Sequence, residues 1–171
     1  DHAASSRTLY ITGVDCHIGS QIADDEPLLE ALDSILELVD SLEDRGISLE
    51  HINLGGGFGV RYQDEVAMDL DAYGARLQQR LGSRSNLLCV EPGRSLTANA
   101  GLLLTQVEYL KTAQDGSKGF AVVDAAMNDL LRPSLYQAWH DVVVVNPPDK
   151  TALAQTWDIV GPICELSLIH I

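Results

Sequence analysis

The sequence is short of basic residues, and this is its most informative deficit. It contains 11 Lys and Arg against 25 Asp and Glu, which gives a formal net charge of −14. Nucleic acids and anionic membranes are recognised through basic surfaces, so the composition argues against both kinds of partner. Small molecules are the expected partners.

Long apolar runs and cysteines are also scarce. No apolar run reaches the roughly 18 residues of a membrane span, and the opening DHAASSRTLY lacks the charged and apolar regions of a signal peptide. Cys16, Cys89 and Cys164 are odd in number and far apart, which favours a reducing compartment over a disulfide framework. We therefore expect a cytoplasmic protein without a membrane span.

What the first hundred residues do have is an alternation of strand-like and helix-like segments. TLYITGVDC, LEHINLGG and SNLLCVEPG have strand composition, and the segments at 24–46 and 69–82 have helical patterns. In the first helix the apolar residues with helical spacing are Leu28, Leu32, Ile35, Val39 and Leu42. A βαβαβ order predicts parallel strands with right-handed crossovers, as in an α/β barrel or a doubly wound sheet.

From about residue 101 the pattern changes to strands without long helices. The strand-like segments there are GLLLTQVEYL, GFAVVDAAM, DVVVVN and TWDIVG. We therefore expect residues 1–100 to be α/β and residues 101–165 to begin an all-β domain.

Polar or glycine-rich segments follow all three strands of the first part. CHIGSQ follows the first strand, GGGFG the second and EPGRS the third. Ligands of parallel α/β folds bind beyond the carboxyl ends of strands, so the three segments predict one shared site. Each also has a simpler interpretation when taken alone: a tight turn for the glycines, a core histidine for His17, and an ion pair with Arg94 for Glu91.

Together, the motifs resemble the alanine racemase-like, fold type III pyridoxal-phosphate-dependent decarboxylases. The resemblance runs from GVDCHIGSQI through LGGGFGVRY, EPGRSLTANAG and DAAMNDLLRPSLY to VGPICE. It implies the C-terminal part of a (β/α)8 TIM-type barrel, followed by the start of a β-sandwich or barrel-like domain. It also implies pyridoxal 5′-phosphate as the cofactor and no metal ion.

The resemblance assigns the strand-end residues to the cofactor. Without a Cβ, the backbone N–H groups of Gly56 and Gly57 can face phosphate oxygens. His17 is expected to stack on the pyridine ring, and Glu91 is expected to hold the ring nitrogen, which makes the ring a stronger electron sink. The remaining residues expected around the cofactor are Ser20, Gly55, Pro92, Gly93 and Arg94.

A second group of residues carries substrate choice in the resemblance. Arg132 and Tyr136, together with Arg94, match positions that bind the distal carboxylate of meso-2,6-diaminopimelate. An arginine fork suits a carboxylate, which it can bind through two hydrogen bonds. Glu165 matches the residue that accepts the distal ammonium. The implied reaction is decarboxylation of this substrate to L-lysine and CO2, the last step of lysine biosynthesis.

Cys164, in GPICE, matches a cysteine that members of the family supply from the partner subunit as a proton donor. The resemblance therefore implies a homodimer with shared active sites. Cys16 and Cys89 show that cysteine also occurs in this chain as a small strand hydrophobe.

The Schiff-base lysine of the family has no counterpart here. Lys111, Lys118 and Lys150 all follow the barrel segments, whereas the family's lysine precedes the histidine motif. We therefore expect an internal fragment of a longer enzyme, inactive alone.

The end of the chain, CELSLIHI, also departs from the family, which continues with serine, glycine and aspartate. The resemblance therefore implies that residues 166–171 are a non-native tail.

Other functions fit part of the pattern. An arginine or ornithine decarboxylase would share the barrel motifs, but its substrate's cationic tail calls for an acidic residue without the arginine. A non-catalytic relative would bind a protein partner through the same fold. A barrel enzyme with another phosphate-bearing cofactor would leave His17 and Glu91 without roles. Arg132 also has a simpler interpretation, neutralisation of Asp124 or Asp129.

Overall fold

A computed structural model describes residues 2–113, 118–147, 155–162 and 167–170. The chain forms two compact units, unit 1 (Asp1–Gly101) and unit 2 (Leu102–Ile171). The elements of unit 1 are β1 (Gly13–Asp15), α1 (Glu26–Glu43), β2 (His51–Asn53), α2 (Leu70–Leu81), β3 (Leu87–Cys89) and α3 (Gly93–Thr97). Those of unit 2 are β4 (Val107–Lys111), β5 (Gly119–Val123), α4 (Leu131–Tyr136), β6 (Trp157–Val160) and β7 (Ser167–His170). Among the described residues no helix combines the length and the apolar character needed to cross a membrane.

Three parallel strands form the sheet of unit 1, in the order β1-β2-β3. Ile52, at the centre of β2, pairs with Val14 on one side and with Leu88 on the other. Because the strands are parallel, their carboxyl ends lie at one edge of the sheet, and the segments that follow them are neighbours. The predicted βαβαβ order and the parallel pairing are confirmed.

Helix α1 buries one face because its apolar residues recur every three or four positions. They share a buried cluster with Ile52 of β2 and with Tyr73 and Leu77 of α2. Each fully buried leucine contributes about 1.5–3 kcal/mol to folding. Leu42, which the helical pattern also places on this face, is only partly buried. The buried residues of α1 are Leu28, Leu29, Leu32, Ile35 and Val39.

Ion pairs join α1 to α2 and to the turn that follows α2. Arg76 and Arg80 are four residues apart, which places them on one side of α2. Arg84 lies another four residues on, in the turn after the helix. At the surface such pairs contribute little to stability individually. The pairs are Arg76 with Asp25 and Glu26, Arg80 with Asp33, and Arg84 with Asp40.

Tyr73 carries a buried hydroxyl that has no hydrogen-bond partner among the described residues. The residue is 3% exposed. Burial, followed by the nearby charge of Asp25, raises the pKa of Tyr73 to about 12. Its ring packs edge-on against Phe58, with the two ring centroids 5.8 Å apart. The ring therefore stabilises this position, whereas the desolvated hydroxyl does not.

We expect Tyr73→Phe to raise the thermal unfolding midpoint of the full-length protein by about 2–4 °C. The substitution keeps the ring and removes an unsatisfied polar group that costs about 1 kcal/mol. Phe58→Ala, which removes the other ring of the pair, should lower the midpoint. Differential scanning calorimetry measures both changes, and a lower midpoint for Tyr73→Phe would contradict this description of the hydroxyl.

Unit 2 contains a mixed four-stranded sheet in the order β4-β5-β6-β7. Strand β5 is antiparallel to β4 and parallel to β6, and β6 is antiparallel to β7. Its buried residues Val123 and Ala125 pack against Leu130 and Ile159. Unit 2 therefore has a small core of its own.

The expectation of a strand at DVVVVN is wrong. Residues 141–146 form no strand, and the four valines are between 46% and 83% exposed. A run of valines has high β-propensity, but a strand also needs a pairing partner, and within the described part of the chain none pairs with this segment. The short helix α4 lies just before it, in a region where the sequence shows no long helical pattern.

Candidate functional site

The segments that follow β1, β2 and β3 meet at the carboxyl edge of the unit 1 sheet. The backbone N–H of Glu91 donates to the carbonyl of Gly55 at 2.7 Å, and that of Ile22 donates to the carbonyl of Gly57 at 2.9 Å. The prediction that the three segments share one edge is therefore confirmed. The residues gathered there are His17, Ser20, Gly55, Gly56, Gly57, Glu91, Pro92, Gly93 and Arg94.

The three consecutive glycines allow the neighbouring segments to approach. Gly55 and Gly57 have φ of +66° and +95°, which glycine adopts readily and other residues do not. The sequence-based reason, that the missing side chains make room for a phosphate, is corrected by this packing, because protein backbone occupies the space. A Cβ on each glycine would overlap a carbonyl oxygen: that of Cys16 for Gly55, of Glu91 for Gly56 and of Gly19 for Gly57.

The N–H groups of the glycine turn are engaged to different degrees. Gly55 N–H donates to Asn53 Oδ1 at 2.9 Å, and Gly56 N–H donates to His17 Nδ1 at 3.3 Å. Gly57 N–H meets no acceptor within the described residues. The sequence assigns the N–H groups of Gly56 and Gly57 to the phosphate. Of these two groups, the N–H of Gly57 is the one available to a ligand.

The hydrogen bond from Gly56 orients the exposed imidazole of His17. Because Nδ1 accepts this bond, the neutral ring carries its proton on Nε2. One edge of the ring is tied to the glycine turn, and the residue as a whole is exposed.

Glu91 is held at one carboxylate oxygen. Asn53 Nδ2 donates to Glu91 Oε1 at 2.7 Å. The bond from Gly55 N–H to Asn53 Oδ1 fixes which end of this amide faces the carboxylate. The second oxygen of Glu91, Oε2, has no partner among the described residues, so it is free to accept from a ligand. The ion pair between Glu91 and Arg94, the simpler interpretation from sequence, does not form.

Arg94 is held by neutral groups. Its two terminal nitrogens donate to Gln21 Oε1 at 2.9 Å and to Ser20 Oγ at 2.8 Å. Within the described part of the chain no carboxylate lies within ion-pair distance of it, unlike the three arginines that pair with α1. The partly buried guanidinium therefore keeps its charge for an anion. Ser20 accepts from Arg94, so its own hydroxyl proton remains available to a second acceptor at this edge.

Sequence reasoning missed Asn53 and Gln21. Asn53 has a usable signal, because it is a polar residue at the end of an otherwise apolar run just before the glycines. Gln21 lies inside the quoted motif CHIGSQ but has no signal of its own. Its contacts depend on the fold.

Arg132 and Tyr136 lie in α4 of unit 2, and the guanidinium carbon lies 5.6 Å from the centre of the tyrosine ring. Burial, followed by the charge of Arg132, lowers the pKa of His140, so this imidazole is neutral at neutral pH. The arginine thus lies beside an aromatic ring and a neutral histidine.

The two acids proposed as alternative partners of Arg132 are engaged elsewhere. Hydrogen bonds from Thr105 and from the backbone of Gln106 lower the pKa of Asp124. Asp129 accepts from the backbone N–H of Ala126 at 2.9 Å. Both carboxylates thus stabilise their own turns, which does not support the simpler interpretation of Arg132.

Cys16 is partly buried against the core of unit 1. Burial, followed by the charge of Asp15, raises the pKa of the Cys16 thiol, so it stays protonated and packs as an apolar group. Cys164 and Glu165 lie outside the described residues.

The hydrogen-bonding groups at the carboxyl edge of the sheet suit a ligand that carries both negative and positive charge. Gly57 N–H, the Ser20 hydroxyl and Arg94 can hold anionic groups, and the free oxygen of Glu91 can accept from a protonated ring nitrogen. These residues fit a phosphorylated pyridine, with His17 beside its ring.

Comparison with known proteins names a cofactor of this chemical kind. The family model described as "Pyridoxal-dependent decarboxylase, pyridoxal binding domain" matches residues 1–98. This range contains every residue of the carboxyl edge described above. The cofactor of the domain is pyridoxal phosphate.

Two of the similar proteins are named diaminopimelate decarboxylase. The chain is 56% identical over 163 residues to the diaminopimelate decarboxylase of Pseudomonas fluorescens, covering 95% of this chain and 38% of that protein. It also matches the crystal structure of diaminopimelate decarboxylase from Helicobacter pylori complexed with L-lysine, with a TM-score of 0.87 and 38% sequence identity. This match covers 99% of this chain and 42% of that one. A lysine/ornithine decarboxylase from Vibrio vulnificus, at 20% identity and a TM-score of 0.80 over 95% of this chain and 44% of that one, shares the fold.

The chain thus spans about 38% of the length of the Pseudomonas protein. The expected resemblance is confirmed by the family model and by these relatives, both of which cover the strand-end residues. The chain belongs to the pyridoxal-dependent decarboxylases, and its first 98 residues are part of their pyridoxal-binding domain.

Proposed function

We propose that the full-length protein containing this chain decarboxylates meso-2,6-diaminopimelate to L-lysine and CO2. The observation that carries this proposal is Arg94, a guanidinium held by neutral groups at the cofactor edge and left with its charge for an anion. A substrate with a carboxylate at its far end supplies that anion. The name of the relative from Pseudomonas fluorescens, at 56% identity, supports the same substrate.

In this proposal, the residues of unit 1 bind and orient the cofactor. Pyridoxal phosphate, when bound, supplies the electron sink for the bond that breaks as CO2 leaves. Gly57 N–H and Ser20 hold its phosphate, with Gly93 and the backbone of Arg94 nearby. His17 covers one face of the ring and excludes water from it.

Glu91 acts at a single atom in this mechanism. Its free Oε2 accepts from the ring nitrogen and keeps the ring protonated, while Asn53 holds Oε1. The bond from Asn53 thereby fixes the direction in which the carboxylate faces.

Substrate binding and protonation draw on residues of unit 2. By the family resemblance, Arg132 and Tyr136 bind the distal carboxylate. Glu165 accepts the distal ammonium. Cys164 of the partner subunit donates the proton that replaces the departing carboxylate. The last two roles come from the family resemblance.

The proposal extends to architecture and setting. Residues 1–100 would be the C-terminal part of a (β/α)8 barrel, and residues 101–165 the first part of a β domain. Cys16 and Cys89 are free thiols, which supports a reducing, cytoplasmic setting. The parallel three-stranded sheet with a helix in each crossover supports the barrel assignment.

Arginine and ornithine are less suitable substrates for this edge. Their tails are cationic and call for an acidic residue without an arginine, whereas the second group of residues contains Arg132, which suits a carboxylate.

The test is a substrate panel with the full-length protein and pyridoxal phosphate. We expect CO2 release from meso-diaminopimelate, with one L-lysine formed per CO2, and much slower release from L-lysine, L-ornithine or L-arginine. The 171-residue chain alone serves as the inactive control. Faster turnover of ornithine or arginine would contradict the proposed substrate.

A homodimer with shared sites gives a separate prediction. Arg132→Ala loses the grip on the distal carboxylate, and Cys164→Ala loses the proton donor, so each variant should be inactive as its own homodimer. If the two residues come from different subunits, random mixing makes half of the dimers mixed, and each mixed dimer has one intact site in two. About a quarter of the sites should then recover activity.

Mass spectrometry of the mixed sample verifies that subunits exchange. A sample with proven exchange and no recovered activity would overturn the shared site and assign Cys164 and Arg132 to the same subunit.

A further inference from the structure

Gln21 has an unusual backbone conformation. Its φ of +59° lies in the left-handed region, which side chains other than glycine seldom adopt. Gln137, in unit 2, is the other described non-glycine residue with positive φ. Strained residues of this kind persist where the surrounding contacts require them, and they concentrate at functional sites.

The side chain of Gln21 pairs with the backbone of Val60, just after the glycine turn. Its Nε2 donates to the carbonyl of Val60 at 2.5 Å, and Val60 N–H donates to its Oε1 at 3.3 Å. These two bonds settle the orientation of the amide, because Nε2 can only donate and Oε1 can only accept. Gln21 thus links the segment after β1 to the segment after β2.

The same Oε1 accepts from Arg94 at 2.9 Å. Gln21 therefore brings the third segment into the network, and it does so with a neutral oxygen. In a chain with 25 acids, the arginines at 76, 80 and 84 take carboxylate partners. A glutamate at position 21 would reach Arg94 equally well, but it would neutralise the charge.

We propose that Gln21 is a positioning residue for substrate recognition, which holds Arg94 in place through a neutral hydrogen bond and so reserves its charge for the distal carboxylate of the substrate. This inference rests on the proposed function. Glycine would remove the backbone strain at this position, but it would also remove the amide. The amide accounts for a glutamine in a conformation that suits glycine.

The test uses L-lysine and cadaverine as binding probes for the full-length holoenzyme. Decarboxylation removes the reacting carboxylate of diaminopimelate, so L-lysine keeps the distal one, and cadaverine differs from L-lysine only by lacking it. Calorimetric titration gives both dissociation constants without turnover. We expect Gln21→Glu to weaken L-lysine binding at least about tenfold, through the neutralised guanidinium, and to change cadaverine binding less than about twofold.

Two further variants separate positioning from folding. Gln21→Gly relieves the strain and removes the amide, so it should also weaken L-lysine binding selectively. Gln79→Glu introduces the same charge at an exposed position of α2 and should leave both probes unaffected. Cofactor absorbance verifies that each variant is loaded.

Opposite results would overturn the inference. Unchanged L-lysine binding in both Gln21 variants, with cofactor bound, would show that Arg94 does not need a neutral hydrogen-bond partner to bind the carboxylate. Equal weakening of L-lysine and cadaverine would assign Gln21 a general structural role. Failure of the proposed function shows separately, as a wild-type holoenzyme that does not decarboxylate meso-diaminopimelate.

Discussion

Gly57→Val in the full-length protein should weaken binding of pyridoxal phosphate at least about a hundredfold, a loss of roughly 2.7 kcal/mol. Gly57 has φ of +95°, which a β-branched residue strongly resists, and a Cβ there would overlap the carbonyl oxygen of Gly19. Either effect displaces Gly57 N–H, the donor of the glycine turn that is left for a phosphate. Absorbance titration of the apoprotein with cofactor measures the change.

Gly74→Ala is the matched control for this glycine. Gly74 lies in α2, and a Cβ there would meet no atom within 4 Å. Alanine should leave cofactor binding unchanged and stabilise the helix by about 0.5–1 kcal/mol. Tight cofactor binding in a folded Gly57→Val protein would reduce the glycine turn to an ordinary connection.

Glu91→Gln should leave pyridoxal phosphate bound and lower turnover at least about tenfold, equivalent to roughly 1.4 kcal/mol of transition-state stabilisation. Asn53 holds one oxygen of Glu91, so the free oxygen has a defined direction. A neutral amide there no longer favours the protonated ring. Steady-state turnover of meso-diaminopimelate, with absorbance to verify cofactor loading, measures the effect.

Glu50→Gln tests whether loss of any acid has the same result. Glu50 is exposed and directly precedes β2, so it lies at the opposite edge of the sheet from Glu91. This control should keep full turnover. Equal activity of the Glu91 and Glu50 variants would show that the carboxylate of Glu91 does not hold the ring nitrogen.

The parts of the fold that sequence predicts well are those with a strong periodic signal. The apolar spacing of α1 and the glycine-rich end of β2 give the element order, and parallel pairing follows from the crossover helices. The meeting of three motifs at one edge follows from that topology alone. This is why His17, Gly57 and Glu91 could be placed together before any contact was known.

The remaining features depend on contacts that a sequence does not encode locally. The left-handed conformation of Gln21 is imposed by bonds to Val60 and Arg94, which are 39 and 73 residues away. The use of Gly56 N–H by His17 depends on how two segments pack. The valines of 141–146 have strand propensity but no pairing strand among the described residues, and propensity is weaker than pairing.

A crystal structure of the full-length protein with pyridoxal phosphate tests the central claim most directly, because it locates the cofactor. The account predicts phosphate oxygens within hydrogen-bonding distance of Gly57 N–H and the Ser20 hydroxyl, and the ring nitrogen beside the free oxygen of Glu91. A cofactor bound at any other edge of the sheet, or a ring nitrogen remote from Glu91, would contradict it.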